Sequence, residues 1–91
     1  MTVIVSHPLG LHLRQGKDMV HVASGFRAEI TAQNLTRQSP TVNVKSILQL
    51  MQLQARQGHT LRVDADGPDA RDALVALRTL FDAFVAPADE R

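Results

Sequence analysis

The stretch Arg27-Ala28-Glu29-Ile30-Thr31-Ala32 decides the fold. Ala28, Ile30 and Ala32 alternate with Arg27, Glu29 and Thr31, which predicts a strand with one face buried and one in water. Gln33-Asn34-Leu35-Thr36 follows with turn chemistry. A second alternating piece, Thr41-Val42-Asn43-Val44, comes after Pro40, so the two runs form a hairpin with an irregular return strand. A hairpin in the middle of a small chain that otherwise mixes helices and strands implies an α+β open-faced sandwich.

Working outward toward the N-terminus, Gly25 is a natural helix stop, and Met19, Val20, Ala23 and Phe26 recur at helical spacing from about Gln15. Gly16 weakens the start of that helix by about 1 kcal/mol relative to alanine. Before it, Pro8 and Gly10 break the β-branched strand Thr2-Val3-Ile4-Val5-Ser6.

Toward the C-terminus, Ser46 caps a short helix expected to reach about Ala55. Its apolar residues Ile47, Leu48, Leu50, Met51 and Leu53 spread over roughly 220° of the circumference, against the ~100° stripe that one core needs. Ile47, Leu50 and Leu53 are expected nearest the core, with Leu48 and Met51 at least partly exposed. An exposed apolar patch of this kind points to a protein interface. After the turn Arg56-Gln57-Gly58-His59, the residues Leu61, Val63 and Ala65 alternate as a fourth strand. Asp66-Gly67-Pro68-Asp69 signals a helix start with proline at or near the first helical position. Ala70, Ala73, Leu74, Leu77, Phe81 and Phe84 carry the longest helix to a stop at Pro87, with 88–91 as a frayed tail. The element order is β-α-β-β-α-β-α, with four mostly antiparallel strands and three helices on one face.

Ninety-one residues make one domain, 1–91. A chain this long buries roughly 60–65% of its extended surface, enough for one two-layer core. The absence of cysteine excludes disulfides, thiolate metal sites and thiol nucleophiles. A net charge of +1 with scattered charges, and a sheet face without aromatic residues, argues against nucleic acid as a partner. No apolar run is long enough to span a bilayer and no cleavable signal pattern is present, so direct membrane insertion is not expected and the cytoplasm is the expected location.

Chemistry concentrates in Gly10-Leu11-His12-Leu13-Arg14, between the first strand and the first helix. Free N–H groups at a helix start favour anions. An imidazole, with an ordinary pKa near 6.5, offers an unprotonated nitrogen at neutral pH. A cation such as Arg14 is unfavourable for the macrodipole there, and the placement makes sense if an anion visits. His7, His21 and His59 read as surface or helix-flank residues, and no cluster suggests a metal or other cofactor.

The run Gly10 to Arg14, the block Val42-Asn43-Val44-Lys45-Ser46-Ile47-Leu48, Gly58 and Asp64-Ala65-Asp66-Gly67 together resemble the histidine-containing phosphocarrier (HPr) family of the bacterial phosphoenolpyruvate-dependent sugar phosphotransferase system. The resemblance spans nearly the whole chain. It implies that His12 accepts a phosphoryl group on Nδ1 from enzyme I and passes it to sugar-specific enzyme IIA components, with Arg14 beside it. Such a protein is a phosphoryl-transfer intermediate and not a stand-alone catalyst. The resemblance also implies that Ser46 is the serine a dedicated kinase phosphorylates in some bacteria to regulate carbon use. Ile47, Leu48 and Met51 match the partner-binding patch.

The chain departs from the family where histidine-alanine-arginine-proline-alanine becomes His12-Leu13-Arg14-Gln15-Gly16. Leu13 and Gln15 therefore stand where partners approach. A second reading follows: a regulatory adaptor of the same fold, binding a kinase or transcription factor through the second-helix patch without relaying phosphate.

Overall fold

Alternating burial along four short strands builds one sheet with a dry face and a wet face. The computed structural model describes residues 1–84. The elements are β1 (Thr2–Ile4), α1 (Leu13–Ser24), β2 (Glu29–Asn34), β3 (Val42–Asn43), α2 (Ile47–Met51), β4 (Thr60–Asp66) and α3 (Ala70–Ala83). The strands lie in the order β1-β4-β2-β3, and every neighbouring pair is antiparallel. The long central pairing sets Ile30 opposite Ala65 and Ala32 opposite Val63.

Val3, Ile30, Ala32, Val42, Leu61 and Val63 are buried on one face. The helices cover that face with Met19 and Ala23 of α1, Leu50 of α2, and Ala73, Leu77 and Phe81 of α3. Each large side chain fully withdrawn from water contributes roughly 1.5–3 kcal/mol, so the core rests on these aliphatic residues and Phe81. The opposite face carries Glu29, Asn43, Arg62 and Asp64 in water.

Element ends differ from the sequence expectations for tertiary reasons. The first helix begins two residues early, at Leu13. The second stops at Met51 and does not reach Ala55. Its last amides tighten, Leu53 N–H to the Leu50 carbonyl and Gln54 N–H to the Met51 carbonyl, and Gln54 then enters the left-handed region at φ 47°. That reversal buries Leu53 and brings Ala55 under the first loop. Pro68 precedes the N-cap of α3 and is not its first helical residue; the cap is Asp69. The expected stop at Pro87 and the tail 88–91 lie outside the described residues.

Asp69 does not cap its own helix with its side chain. Its carboxylate accepts the Arg27 and Ala28 N–H groups, each at 2.8 Å, tying the entrance of β2 to the start of α3. The Arg27 amide bond, the largest cause, with the Ala28 bond, holds the carboxyl below its ordinary pKa of 3.8, against partial desolvation. A carboxylate depressed in the folded state stabilises it above the unfolded pKa, and that contribution is lost as pH falls through the folded value. Asp69→Asn should therefore lower the melting temperature at pH 7 and flatten its decline below about pH 4. Thermal melts of both proteins from pH 2 to 7 check this; parallel curves would refute the bridge.

Candidate functional site

A tight turn comes first. In His7-Pro8-Leu9-Gly10 the Gly10 N–H donates to the His7 carbonyl at 2.9 Å, with proline at the second position where its fixed φ suits a turn. Gly10 has φ 73°, and a Cβ on it would stand 2.5 Å from the Ala55 carbonyl oxygen and 2.9 Å from Arg56 Cα. Only glycine fits both demands. The next amide, Leu11 N–H, donates to the same Ala55 carbonyl at 2.9 Å. The loop is thus clamped to the exit of α2 immediately before His12.

His12 is the N-cap of α1, in extended backbone at φ −104° and ψ −175°. Its carbonyl accepts the Gly16 N–H at 2.9 Å, the first bond of the helix. Its ring makes no capping hydrogen bond. The amides of Leu13, Arg14 and Gln15 have no acceptor within the helix, as at any helix start, and the first turn carries no acid. His12 is half-buried; Leu13 and Arg14 are exposed. With Lys17 and Asp18 they line an open bowl, where two cations face one anion. Such a surface favours an anion and leaves it open to a second protein.

One turn beyond His12, Gly16 is buried where α1 meets α2. A Cβ on Gly16 would approach Met51 Cε at 2.5 Å and Ile47 Cδ1 at 2.9 Å. The glycine that weakens the helix start therefore seats the apolar side of α2 against the helix that carries His12. Leu50 and Leu53 are fully buried as expected, and Leu48 is 79% exposed. Ile47, expected nearest the core, is only half-buried like Met51, and its Cδ1 lies against Gly16 of α1.

Ser46 caps α2: its Oγ accepts the Gln49 N–H at 3.3 Å. Gln49 Oε1 reaches back to accept the Asn43 N–H at 2.9 Å, a variant of the capping box. Gln15 is half-buried, and its Oε1 is shut from water without a hydrogen-bond partner among the described residues. It lines a small cleft with Val5, His7, Leu11, Phe81 and Phe84.

Three residues near the site escaped the sequence reading. The His7 ring packs edge-on against the His12 ring, centroids 5.7 Å apart at 74°. Leu9 is 73% exposed on the turn, and Lys17 adds a second cation to the bowl. The signal for His7 was Pro8: a turn there folds the chain back and carries His7 toward His12. Helical spacing places Lys17 one turn from Leu13 and Arg14. His59 is structural, accepting the Arg56 N–H at 3.1 Å on Nδ1 and meeting Asn34 Nδ2 at 3.0 Å. His21 is exposed on α1. Among the described residues no helix is long and apolar enough to cross a membrane.

Residues 1–83 match the family described as "PTS HPr component phosphorylation site". This chain belongs to the HPr family. It is 40% identical over 80 residues to phosphocarrier protein HPr of Xylella fastidiosa, covering 88% of this chain and 86% of that protein. A multiphosphoryl transfer protein of Haemophilus influenzae is also 40% identical, over 76 residues that make 84% of this chain but 15% of that protein. This chain thus spans a fifth or less of the length of the multiphosphoryl transfer proteins it matches. The crystal structure of HPr-C-His from Thermoanaerobacter tengcongensis shares the fold with a TM-score of 0.84 at 31% identity, covering 92% of this chain and 91% of that one. The open-faced α+β architecture is that of HPr.

The clamp at Gly10 makes a direct prediction. Gly10→Ala forces a side chain into the left-handed region and against the Ala55 backbone, so it should cost about 1–3 kcal/mol. It should also shift the backbone amide signals of His12 to Gly16. Chemical denaturation and an NMR amide spectrum check both; a variant as stable as wild type with unmoved signals would remove the clamp from the account.

Proposed function

We propose that this chain is a cytoplasmic phosphocarrier, a single domain, that takes a phosphoryl group from enzyme I onto His12 and delivers it to enzyme IIA-type proteins. The supporting observation is the state of the His12 ring. It stands at a helix N-cap without a capping bond, beside free helix amides and Arg14, at the mouth of an open bowl. An imidazole nitrogen lone pair attacks phosphorus; the new phosphorus–nitrogen bond forms as the donor's bond to phosphorus breaks, and the donor keeps that electron pair. Onward delivery reverses these steps on the next acceptor. Positioning and electrostatics carry most of such a transfer, which is why a small carrier without a cofactor suffices.

Arg14 supplies the charge nearest the incoming group, with donors matched to phosphoryl oxygens. Leu13, Leu48, Ile47 and Met51 form the apolar surface a partner covers, continuous with the acceptor because Gly16 seats α2 against α1. Gln15 acts from below this surface, through its buried amide oxygen. Ser46 is the regulatory position: a serine kinase acting there would place a phosphate beside exposed Leu48 and impede docking.

Incubation with phosphoenolpyruvate and enzyme I should give an acid-labile phosphorylated wild type and an unmodified His12→Ala. Arg14→Gln should slow phosphorylation roughly tenfold or more, as expected for losing a charge-assisted bond worth about 1.5–3 kcal/mol. A wild type left unmodified by a panel of enzyme I proteins would sink the carrier reading. Partner capture that survives His12→Ala but fails in Leu48→Asp would then favour the regulatory adaptor.

A further inference from the structure

The geometry points to His7 as the second ring of the acceptor site: it positions the His12 imidazole in the resting protein and supplies positive charge beside the phosphoryl group once His12 carries it. This rests on His12 being the acceptor. Two observations support it independently of that role. The first is the edge-on contact itself, with centroids 5.7 Å apart, which limits how far the His12 ring can rotate. The second is that His7 is itself held. Its Nδ1 accepts the Leu9 N–H at 3.1 Å within the turn that Gly10 closes, so the neutral ring carries its proton on Nε2.

The surroundings of His7 fit a ring that becomes a cation when an anion arrives. The cleft around it is lined from α1 by Arg14, Gln15 and Asp18, and from α3 and its C-cap by Leu80, Ala83 and Phe84. Arg14 and Asp18 oppose each other in charge, and α3 contributes no charged side chain among these. What α3 does contribute is the carbonyl end of its last turn, which favours a cation. Gln15 adds a buried carbonyl oxygen that lacks a donor among the described residues. A phosphoryl group on His12 would bring an anion beside this ring. His7 touches the acceptor ring and not the reacting phosphorus, so it is a positioning residue.

The effect has a readout that packing alone does not move. With the 5.7 Å between the ring centroids as the scale of the separation, a unit charge lowers the pH of the phosphoryl group's final deprotonation by about half a unit in the dielectric of water. The two groups titrate as a coupled pair, so the measured midpoint belongs to both. Wild type and His7→Phe, which keeps a flat ring edge-on but cannot be charged, are phosphorylated with enzyme I and phosphoenolpyruvate. The 31P shift of each phosphohistidine is then followed from pH 5 to 9. The expected result is a midpoint about half a pH unit lower in wild type than in His7→Phe. Equal midpoints would overturn the role of His7 while leaving His12 as the acceptor. Failure of wild type to take up phosphate at all would overturn the acceptor reading, and this inference with it. Should His7→Phe fail to fold, the wild-type titration followed through the ring protons decides the matter: His7 signals that do not respond to phosphorylation of His12 overturn the role.

Discussion

A single carbonyl organises the functional end of this protein. Ala55, at the exit of α2, accepts the Leu11 amide, and its oxygen lies where a Cβ on Gly10 would have to go. Two segments more than forty residues apart are thereby held in backbone contact immediately before His12. Because α1 starts at Leu13, that contact fixes the chain just before the helix whose N-cap is His12. It works together with the reversal at Gln54, without which α2 would run on and Ala55 could not face the loop.

The rest of the site follows from how closely α1 and α2 approach. Gly16 removes a side chain one turn after His12, and Met51 and Ile47 fill the space. This packs the helix that begins after His12 against α2, which carries the exposed Leu48. The bowl stays open because no side chain caps the helix and no acid occupies its first turn. Arg14 and Lys17 line this open bowl with His12, so an anion there would meet positive charge without being enclosed.

The departures from the usual family motif acquire physical meaning in this setting. Gln15 stands where the family has proline, and its side chain turns inward beside His7. Gly16 stands where the family has alanine, and it brings α2 closer. Both changes act beneath the surface and leave the backbone geometry of His12 that of a helix N-cap.

The architecture was legible in the sequence because its signals are local and periodic. The alternation in Ala28-Glu29-Ile30-Thr31-Ala32 and in Leu61 to Ala65, and the helical spacing from Ala70 to Phe84, state which side of each element avoids water. One buried face then leaves little choice but an open-faced sheet under helices. The motif around His12 was legible for the same reason: its residues are neighbours in the chain. Long-range contacts decided what remained. Where α2 ends depends on the loop it must meet, the burial of Ile47 depends on a glycine in another helix, and the bridge from Asp69 to β2 spans more than forty residues. His7 beside His12 is the clearest case, since five residues of chain can place two rings apart or in contact. Only the turn closed by Gly10, pressed against the Ala55 backbone, brings them together.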